Sequence, residues 1–125
     1  MIKGNGVDII EINRFEKIIK DKPRFLTRFF TERENELFRM KSMKAETIAG
    51  NFAVKEAVSK ALGTGVRGFN LVDIEVLRNE MGAPYVVLHN GAAKLADERG
   101  INDLMVSISH SDQNAIAFVI AIGEA

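Results

Sequence analysis

The chain has 125 residues, no cysteine and a formal net charge of zero at pH 7. We expect residues 1–125 to form one domain, and 46% hydrophobic with 27% charged residues is an ordinary globular composition. The lack of cysteine excludes disulfides, thiolate metal sites and cysteine nucleophiles. No apolar run approaches the roughly 20 residues of a membrane span. Because the N-terminus is also unlike a signal peptide, we expect a cytoplasmic protein.

The first half of the chain predicts one strand followed by four helices. Alternation indicates the strand, and apolar residues at i, i+3 and i+7 indicate the first helix. Thr31 and Glu34 have the spacing of a capping box, so a third helix begins there. Gly63 suits the left-handed conformation that ends a helix. The predictions are a strand over Ile2 to Ile10, a helix from Ile12 to the break at Lys22–Pro23, a short helix burying Phe25, Leu26, Phe29 and Phe30, a helix from Thr31, and a long helix from about Glu46 to Leu62.

Four alanines in the long helix recur at every fourth position and form a ridge of small side chains. They are Ala49, Ala53, Ala57 and Ala61. Side chains at this spacing lie on one helical face, and small ones let a neighbouring element pack closely. We therefore expect a sheet or a helix against this ridge.

The second half changes to strand periodicity and completes an α+β fold. The predictions are strands over Val72 to Leu77 and Tyr85 to Leu88 around a turn with Asn79, Gly82 and Pro84, a helix over Ala92 to Arg99 capped by Asn90 and closed by Gly100, and a hairpin of Leu104 to Ser109 with Ala115 to Ile122 around a turn at Ser111 to Asn114. The expected architecture is a single compact domain with a small β-sheet packed against a long helix and several short helices.

Positive charge is concentrated near the N-terminus. Residues 11–30 contain three acidic side chains and six basic ones, namely Arg14, Lys17, Lys20, Lys22, Arg24 and Arg28. We expect this segment to contact an acidic partner. A nucleic-acid-binding protein is more often basic overall, with interleaved aromatic residues, so that class is disfavoured.

Two carboxylates and a lysine are candidates for chemistry. Asp8 lies among apolar residues of the first strand, where a carboxylate is costly to bury unless it is paired or metal-bound. Strand alternation can equally turn it toward water or an arginine. Glu56 and Lys60 are spaced i, i+4 and share one helical face, as in a surface salt bridge or in a site. Lys55 points elsewhere and suits a phosphate or a structural contact.

The segment of Gly63, Thr64 and Gly65 offers free backbone N–H groups that suit anion binding, with a lysine one turn earlier, but it is not a nucleotide P-loop. It follows a helix where a P-loop precedes one, and it lacks the Gly-Lys-Ser/Thr sequence. A simple helix stop is the alternative. His110 lies at the mouth of the predicted hairpin, where a histidine is commonly just a polar loop residue. His89 is a weaker candidate. The sequence has no pair of histidines spaced for zinc and no Ser-His-Asp set or Gly-x-Ser-x-Gly motif for acyl transfer.

Taken together, these residues resemble the holo-acyl carrier protein synthase family, the small type of 4'-phosphopantetheinyl transferase. The resemblance spans nearly the whole chain in family order, and the combination is specific although each piece is weak. The matching segments are Gly6-Val-Asp8-Ile9 with Glu11, Ile12 and Arg14; Phe52-Ala-Val-Lys55-Glu56-Ala57 with Lys60 and Ala61-Leu-Gly63-Thr64-Gly65; Gly82-Ala-Pro84; and Val106-Ser-Ile-Ser-His110.

The resemblance implies a magnesium-dependent enzyme that moves the phosphopantetheine arm of coenzyme A onto a serine of apo-acyl carrier protein. Adenosine 3',5'-bisphosphate would leave. It also implies a homotrimer with active sites between subunits and a place in lipid metabolism, in fatty acid biosynthesis or in secondary metabolism. Magnesium prefers oxygen ligands and keeps several waters, which suits a site with two carboxylates.

The resemblance also implies the roles of individual residues. Asp8 and Glu56 would bind magnesium, and Lys60 would neutralise the phosphates or assist the leaving group. The proton acceptor is Glu56 or a metal-bound water. The implied coenzyme A contacts are Lys60, Gly63, Thr64, Gly65 and His110, the last from a neighbouring subunit. The implied dock for the carrier protein is Arg14, Arg24 and Arg28 with Lys17 or Lys22.

Asn51 departs from the family pattern, because many relatives carry a basic residue at this position. A phosphate contact to coenzyme A is then lost or moved, with Lys44 and Arg67 as the candidates. Two competing functions are a non-catalytic adaptor that docks an acidic protein through its basic N-terminal arm and a magnesium-dependent phosphohydrolase.

Overall fold

A computed structural model describes residues 1–63 and 68–124 of the chain. The predicted contacts at Thr64, Gly65 and Arg67 lie outside the described residues. The described elements are β1 Ile2–Glu11, α1 Ile12–Asp21, α2 Arg24–Phe29, α3 Glu32–Met40, α4 Ala45–Ala61, β2 Ile74–Arg78, β3 Pro84–Leu88, α5 Asn90–Glu98, β4 Ile101–His110 and β5 Asn114–Gly123.

The strands form two antiparallel sheets. One has the order β1-β5-β4, and the other pairs β2 with β3. β4 and β5 are the predicted hairpin, and the Ser111 hydroxyl accepts hydrogen bonds from the Gln113 and Asn114 amides in its turn. β1 joins the other edge of β5, with Asp8 opposite Ala117. The N-terminal and C-terminal segments therefore meet in one sheet.

Helix α4 lies across the inner face of the three-stranded sheet, against β1 and β5. The alanine ridge is fully or almost fully buried, as predicted. Two glycines of β1 permit the close approach: a Cβ atom on Gly4 would lie 2.2 Å from the Ala61 carbonyl oxygen, and one on Gly6 only 2.0 Å from the Ala57 carbonyl oxygen. The backbones of β1 and α4 are thus in direct contact, and this contact determines what β1 presents to the helix.

A cluster of phenylalanines holds the N-terminal helices on α4. The Phe52 ring centroid lies 5.3 Å from that of Phe15 in α1 and 5.7 Å from that of Phe25 in α2. Aromatic pairs at such distances add to the hydrophobic burial. The basic helices α1 and α2 are thereby fixed beside the central part of α4.

This mixture of small sheets and several helices confirms the predicted α+β class. The capping box of Thr31 and Glu34 is present at the start of α3, and Gly63 has a φ of +86° at the end of α4. None of the helices in the ranges 1–63 and 68–124 has the length and apolar character needed to cross a membrane.

Three elements of the second half begin two or three residues away from the predicted position, and one of them is β4, which begins at Ile101 instead of Leu104. The strand expected from Val72 begins at Ile74, because Asn70 and Asp73 form a capping box that winds Leu71–Asp73 into a short 3-10 helix. Asn90 is the first residue of α5 instead of its cap, a position that His89 takes. The Asn90 side chain donates to Asp73 Oδ1 at 3.1 Å, so it ties α5 to that 3-10 helix.

Candidate active site

Asp8 and Lys60 form an ion pair between β1 and α4. The alternation of β1 turns Asp8 toward the helix, and Lys60 Nζ lies 3.3 Å from Asp8 Oδ1 and 2.8 Å from the Val7 carbonyl oxygen. The Asp8 side chain is 19% exposed, whereas that of Lys60 is 55% exposed. Asp8 therefore points neither to open solvent nor to an arginine. Within the described residues the ion-pair partner of Lys60 is Asp8, and no Glu56–Lys60 salt bridge forms.

Glu56 lies next to this pair on the same face of α4. Partial burial and the negative charge of Asp8 raise the pKa of Glu56 above its ordinary value of 4.5, and Lys60 and Arg14 oppose that shift. An acid whose ionised form is disfavoured by burial and by a neighbouring carboxylate is a common feature of functional sites. A cation shared between them would remove the repulsion.

Asp8 also has a buried oxygen without a partner. Its Oδ2 atom is inaccessible to solvent and makes no hydrogen bond. Such an atom costs free energy unless something binds it. The described residues contain no cluster of three or more histidine, cysteine or acidic side chains around a common point. Two carboxylates with one free buried oxygen fit a hard cation such as magnesium, which keeps several waters.

A cleft with three basic and two acidic side chains, which we call the basic cleft, opens along α1 and the end of β1; its acids are Glu11 and Asp21. It has a volume of about 760 Å³, and its lining includes Arg14, Lys17, Lys22 and Phe25. The Arg14 guanidinium lies 5.4 Å from the Phe52 ring centroid. Arg24 and Arg28, which were also predicted to dock the acidic partner, are exposed on α2. All five predicted docking residues therefore lie on the surface formed by α1, α2 and the segment between them.

His110 lies away from the carboxylates, in a second basic cavity of about 360 Å³. This cavity also contains Lys41 just after α3, Lys44 just before α4, Arg78 at the end of β2, Gly82 from the turn and Pro84 at the start of β3. Burial lowers the pKa of Arg78, and Glu34 opposes the shift. Sequence reasoning did not identify Arg78, since a charged residue at the end of a strand is a common surface feature.

Asn51 and Lys55 belong to the interior of the protein and not to a phosphate site. Both are completely buried. Asn51 Nδ2 donates to Glu34 Oε2 at 3.1 Å and to the Val76 carbonyl oxygen at 2.9 Å. Lys55 Nζ lies 2.7 Å from Glu34 Oε1. Asn51 therefore faces α3 and β2 instead of a ligand, and Lys55 makes the structural contact that was one of its two expected roles.

This interior network was not predicted, although Glu34 was identified as a capping residue. Burial raises the pKa of Glu34 and lowers the pKa of Lys55, while their mutual attraction opposes both shifts. The available signal was the apolar residues on both sides of Lys55 in a helix that is buried nearly all round. A lysine in such a helix needs a buried acid as its partner.

Comparison with known proteins agrees with this geometry. The model of the 4'-phosphopantetheinyl transferase superfamily matches residues 4–119. The chain belongs to this superfamily. Holo-[acyl-carrier-protein] synthases of Clostridium perfringens and Clostridium botulinum are 53% identical over 128 residues and 54% identical over 120 residues. These alignments cover 99% and 96% of this chain and 96% and 97% of the relatives.

Solved structures of the family have the same fold. The holo-[acyl-carrier-protein] synthase of Neisseria meningitidis superposes with a TM-score of 0.89 at 31% identity, covering 98% of this chain and 99% of that one. The Helicobacter pylori enzyme in complex with coenzyme A gives 0.82 at 37% identity, covering 94% and 99%. The chain is thus a phosphopantetheinyl transferase by family, and the structure of this transferase brings together Asp8, Glu56 and Lys60 but places His110 in a separate cavity.

Proposed function

We propose that the protein transfers 4'-phosphopantetheine from coenzyme A to a serine of apo-acyl carrier protein. The observation that carries the proposal is the buried, unpartnered oxygen of Asp8 beside Glu56, with Lys60 at 3.3 Å on the other oxygen. This set of groups suits a polyphosphate substrate, because two acids can hold a cation and the lysine can bind phosphate.

In this reaction the serine oxygen forms a bond to the β-phosphorus, and the bond from that phosphorus to the bridging oxygen breaks. Adenosine 3',5'-bisphosphate leaves, and the serine proton must go to a base. We propose Glu56, or a water on the cation that Asp8 and Glu56 would hold, as the acceptor. Lys60 is half-exposed and able to turn from Asp8 to the departing phosphate. Magnesium bound by Asp8 and Glu56 would neutralise the charge that develops on the phosphates.

The second basic cavity supports a coenzyme A contact at His110. Lys44, one of the two candidates to replace the charge missing at position 51, lines this cavity, and so do Lys41 and Arg78. Four basic side chains face a single acid there, Glu46. A phosphate group of coenzyme A is the appropriate ligand for such a cavity. Since the cavity and the carboxylates are separate features of one subunit, the two parts of the coenzyme A site would come from neighbouring subunits.

An exposed apolar face of the three-stranded sheet supports a homotrimer. Val7 is opposite Phe118 and Ile9 is opposite Ile116 in the β1–β5 pairing, and Met105 lies across the sheet on β4. Their exposed fractions are 39% or more. A contiguous apolar patch of this kind on a soluble domain is typical of an association surface. We propose that two further copies of the chain cover it.

The basic cleft supports docking of the acidic carrier protein. Arg14, Lys17 and Lys22 line it, and Arg24 and Arg28 extend the same positive surface. Complementary charge of this kind mainly increases the encounter rate and selects the partner. Binding should therefore weaken as salt is added, since exposed charges are screened.

Mass spectrometry tests the proposed function directly. Apo-acyl carrier protein mixed with the protein, coenzyme A and magnesium should gain the mass of one phosphopantetheine group. Asp8→Ala and Glu56→Ala should abolish the gain while leaving the circular dichroism spectrum intact, because each removes one magnesium ligand. A matched control is Glu98→Ala, which removes an exposed acid on α5. Full activity in either site variant would refute the metal assignment.

The same experiment separates the competing functions. If the protein were an adaptor, the carrier protein would bind but its mass would not change, and calorimetry would detect no coenzyme A binding in magnesium. If it were a phosphohydrolase, coenzyme A would be cleaved without any acceptor protein. Failure of transfer beside a working control enzyme would refute the proposal.

A further inference from the structure

Consecutive residues of α4 have opposite surroundings. Lys55 is completely buried, whereas Glu56 is partly exposed beside Asp8. Neighbouring helical residues point in directions about 100° apart. Whatever fixes the direction of Lys55 therefore fixes the direction of Glu56 as well.

Lys55 is held by three acceptors outside its own helix. Its ammonium group donates to Glu34 Oε1 at 2.7 Å, to the Leu71 carbonyl oxygen at 3.1 Å and to the Ile74 carbonyl oxygen. An ammonium group has three donors, so all of them are used. The acceptors come from α3, from the 3-10 helix and from the start of β2. This fixes the rotation of α4 from one side.

A second contact reinforces the first. The other oxygen of Glu34 accepts from Asn51 Nδ2 at 3.1 Å, one turn earlier on α4. Glu34 is itself fixed at the start of α3, because its Oε1 atom also accepts from the Thr31 amide at 3.1 Å. A single buried carboxylate thus binds two points of α4 that lie one turn apart.

The opposite side of α4 has a less buried polar contact: within the described residues it is that of the half-exposed Lys60, which donates to the Val7 carbonyl oxygen at 2.8 Å and to Asp8 Oδ1 at 3.3 Å. That side packs on the sheet through small alanines, and β1 meets it with two glycines. Contacts between such surfaces are close but non-directional, so they permit small rotations of the helix. The polar contacts of Lys55 and Asn51 are directional, since hydrogen bonds weaken steeply when they bend.

We propose that the Glu34–Lys55 pair is a positioning device that sets the rotation of α4 so that Glu56 faces Asp8. A carboxylate lying roughly 6 Å from the helix axis moves about 1 Å when the helix rotates by about 10°. An error of about 1 Å in a catalytic group can lower a rate about 10²-fold. Buried ion pairs are often no more stabilising than apolar side chains of similar size, so stability alone does not account for this pair.

The test replaces the pair by neutral side chains of similar size, in the double variant Glu34→Gln/Lys55→Met. The matched control is Glu32→Gln/Arg39→Met, which removes an exposed ion pair of α3 with an N–O distance of 2.8 Å. Metal binding is measured as the loss of the free Mn²⁺ signal in electron paramagnetic resonance. Phosphopantetheine transfer is measured well below the melting temperature of each variant.

We expect the buried-pair variant to bind Mn²⁺ about tenfold more weakly and to lose about 10²-fold in kcat, in line with about 1 Å of displacement. The KM for coenzyme A should change less than kcat, because none of the side chains that line the second cavity is substituted. The control should match the parent protein in all three measurements. Unchanged metal binding and kcat in the buried-pair variant would overturn the proposal, whatever happens to its melting temperature.

If the double variant does not fold, Glu34→Asp takes its place. This variant keeps the charge but shortens the link to Lys55 by one methylene, so α4 must rotate or the contact must lengthen. Several-fold weaker Mn²⁺ binding with an unchanged circular dichroism spectrum would support the proposal, and parental metal binding and kcat would overturn it. The inference relies on the proposed magnesium site, but a parent protein that binds Mn²⁺ without transferring phosphopantetheine would refute only the proposed function.

Discussion

Glu75 illustrates at the scale of one residue how a buried acid joins separate elements. Its side chain is 4% exposed and accepts a hydrogen bond from the Thr31 hydroxyl, and His89 Nε2 lies 3.1 Å from its Oε1 atom. Arg33 Nη1 is 3.6 Å away. Burial alone would raise the pKa of Glu75, but the partners outweigh burial and hold the pKa below 4.5. The ionised carboxylate is therefore the form that the fold stabilises.

Replacing Glu75 should make the free energy of unfolding depend less on pH in the acidic range. Because the folded pKa is depressed, the contribution of this group is present above pH 4.5 and is lost as the pH falls through the folded pKa. Glu75→Gln should lower the free energy of unfolding at pH 7 by about 1–3 kcal/mol. Urea titrations should find a smaller difference from the parent protein below pH 4. The exposed Glu80→Gln is the control, and equal loss at both pH values would contradict the expectation.

The geometry of the candidate site is decided at the scale of two elements, β1 and α4. Asp8 comes from the strand, whereas Glu56 and Lys60 come from the helix, so the three side chains meet only if the two backbones touch. Gly6 permits that contact, since a Cβ atom there would lie 2.0 Å from the Ala57 carbonyl oxygen. Backbone atoms on both sides cannot move aside as the end of a side chain can.

Gly6→Ala should therefore damage both stability and activity. We expect the free energy of unfolding to fall by at least about 3 kcal/mol, the upper end of ordinary overpacking costs. Activity should be lost even at temperatures where the variant is folded, because the strand is pushed away from the helix. Gly50→Ala within α4 is the control: its Cβ would meet only the Ile108 side chain, at 3.2 Å. Urea unfolding with a transfer assay checks both, and an active Gly6→Ala would contradict the expectation.

At the scale of the whole molecule, the outer face of the three-stranded sheet is exposed. One face is closed by α4, and the other presents apolar side chains such as Phe118, which is 45% exposed. Strand alternation requires this result, because residues that alternate with Ala117 and Val119 point the opposite way. Both faces are apolar, yet the described residues cover only one of them, with α4.

Phe118→Glu should convert the proposed trimer into monomers, because three buried charges would face one another across the association surface. Sedimentation or light scattering gives the mass, and circular dichroism checks the fold. Transfer should be lost with the trimer if the site is shared between subunits. Met81→Glu is the control, as Met81 is 90% exposed and lies outside the face. A fully active, trimeric Phe118→Glu would contradict the expectation.

Much of this protein was predictable from local sequence. The period of the apolar residues gave the strands and helices, and the spacing of Thr31 and Glu34 located the start of α3. The start of β2 was missed because Asn70 and Asp73 form a local capping box, and the role of Asn90 was missed because it bonds to Asp73 of another element. The pieces of the site could also be named, since Asp8 in an apolar strand and Glu56 near Lys60 are conspicuous in the sequence.

Only the tertiary structure decided how those pieces combine. Spacing paired Lys60 with Glu56, but the packing of β1 on α4 paired Lys60 with Asp8. The family pattern suggested a ligand contact at position 51, but the fold turns Asn51 into the interior against Glu34. Sequence by itself determines periodicity and residue chemistry, because these depend on neighbours in the chain. The choice of ion-pair and hydrogen-bond partners, and the burial of each side chain, depend on contacts between residues far apart in the chain. They therefore exist only in the folded molecule.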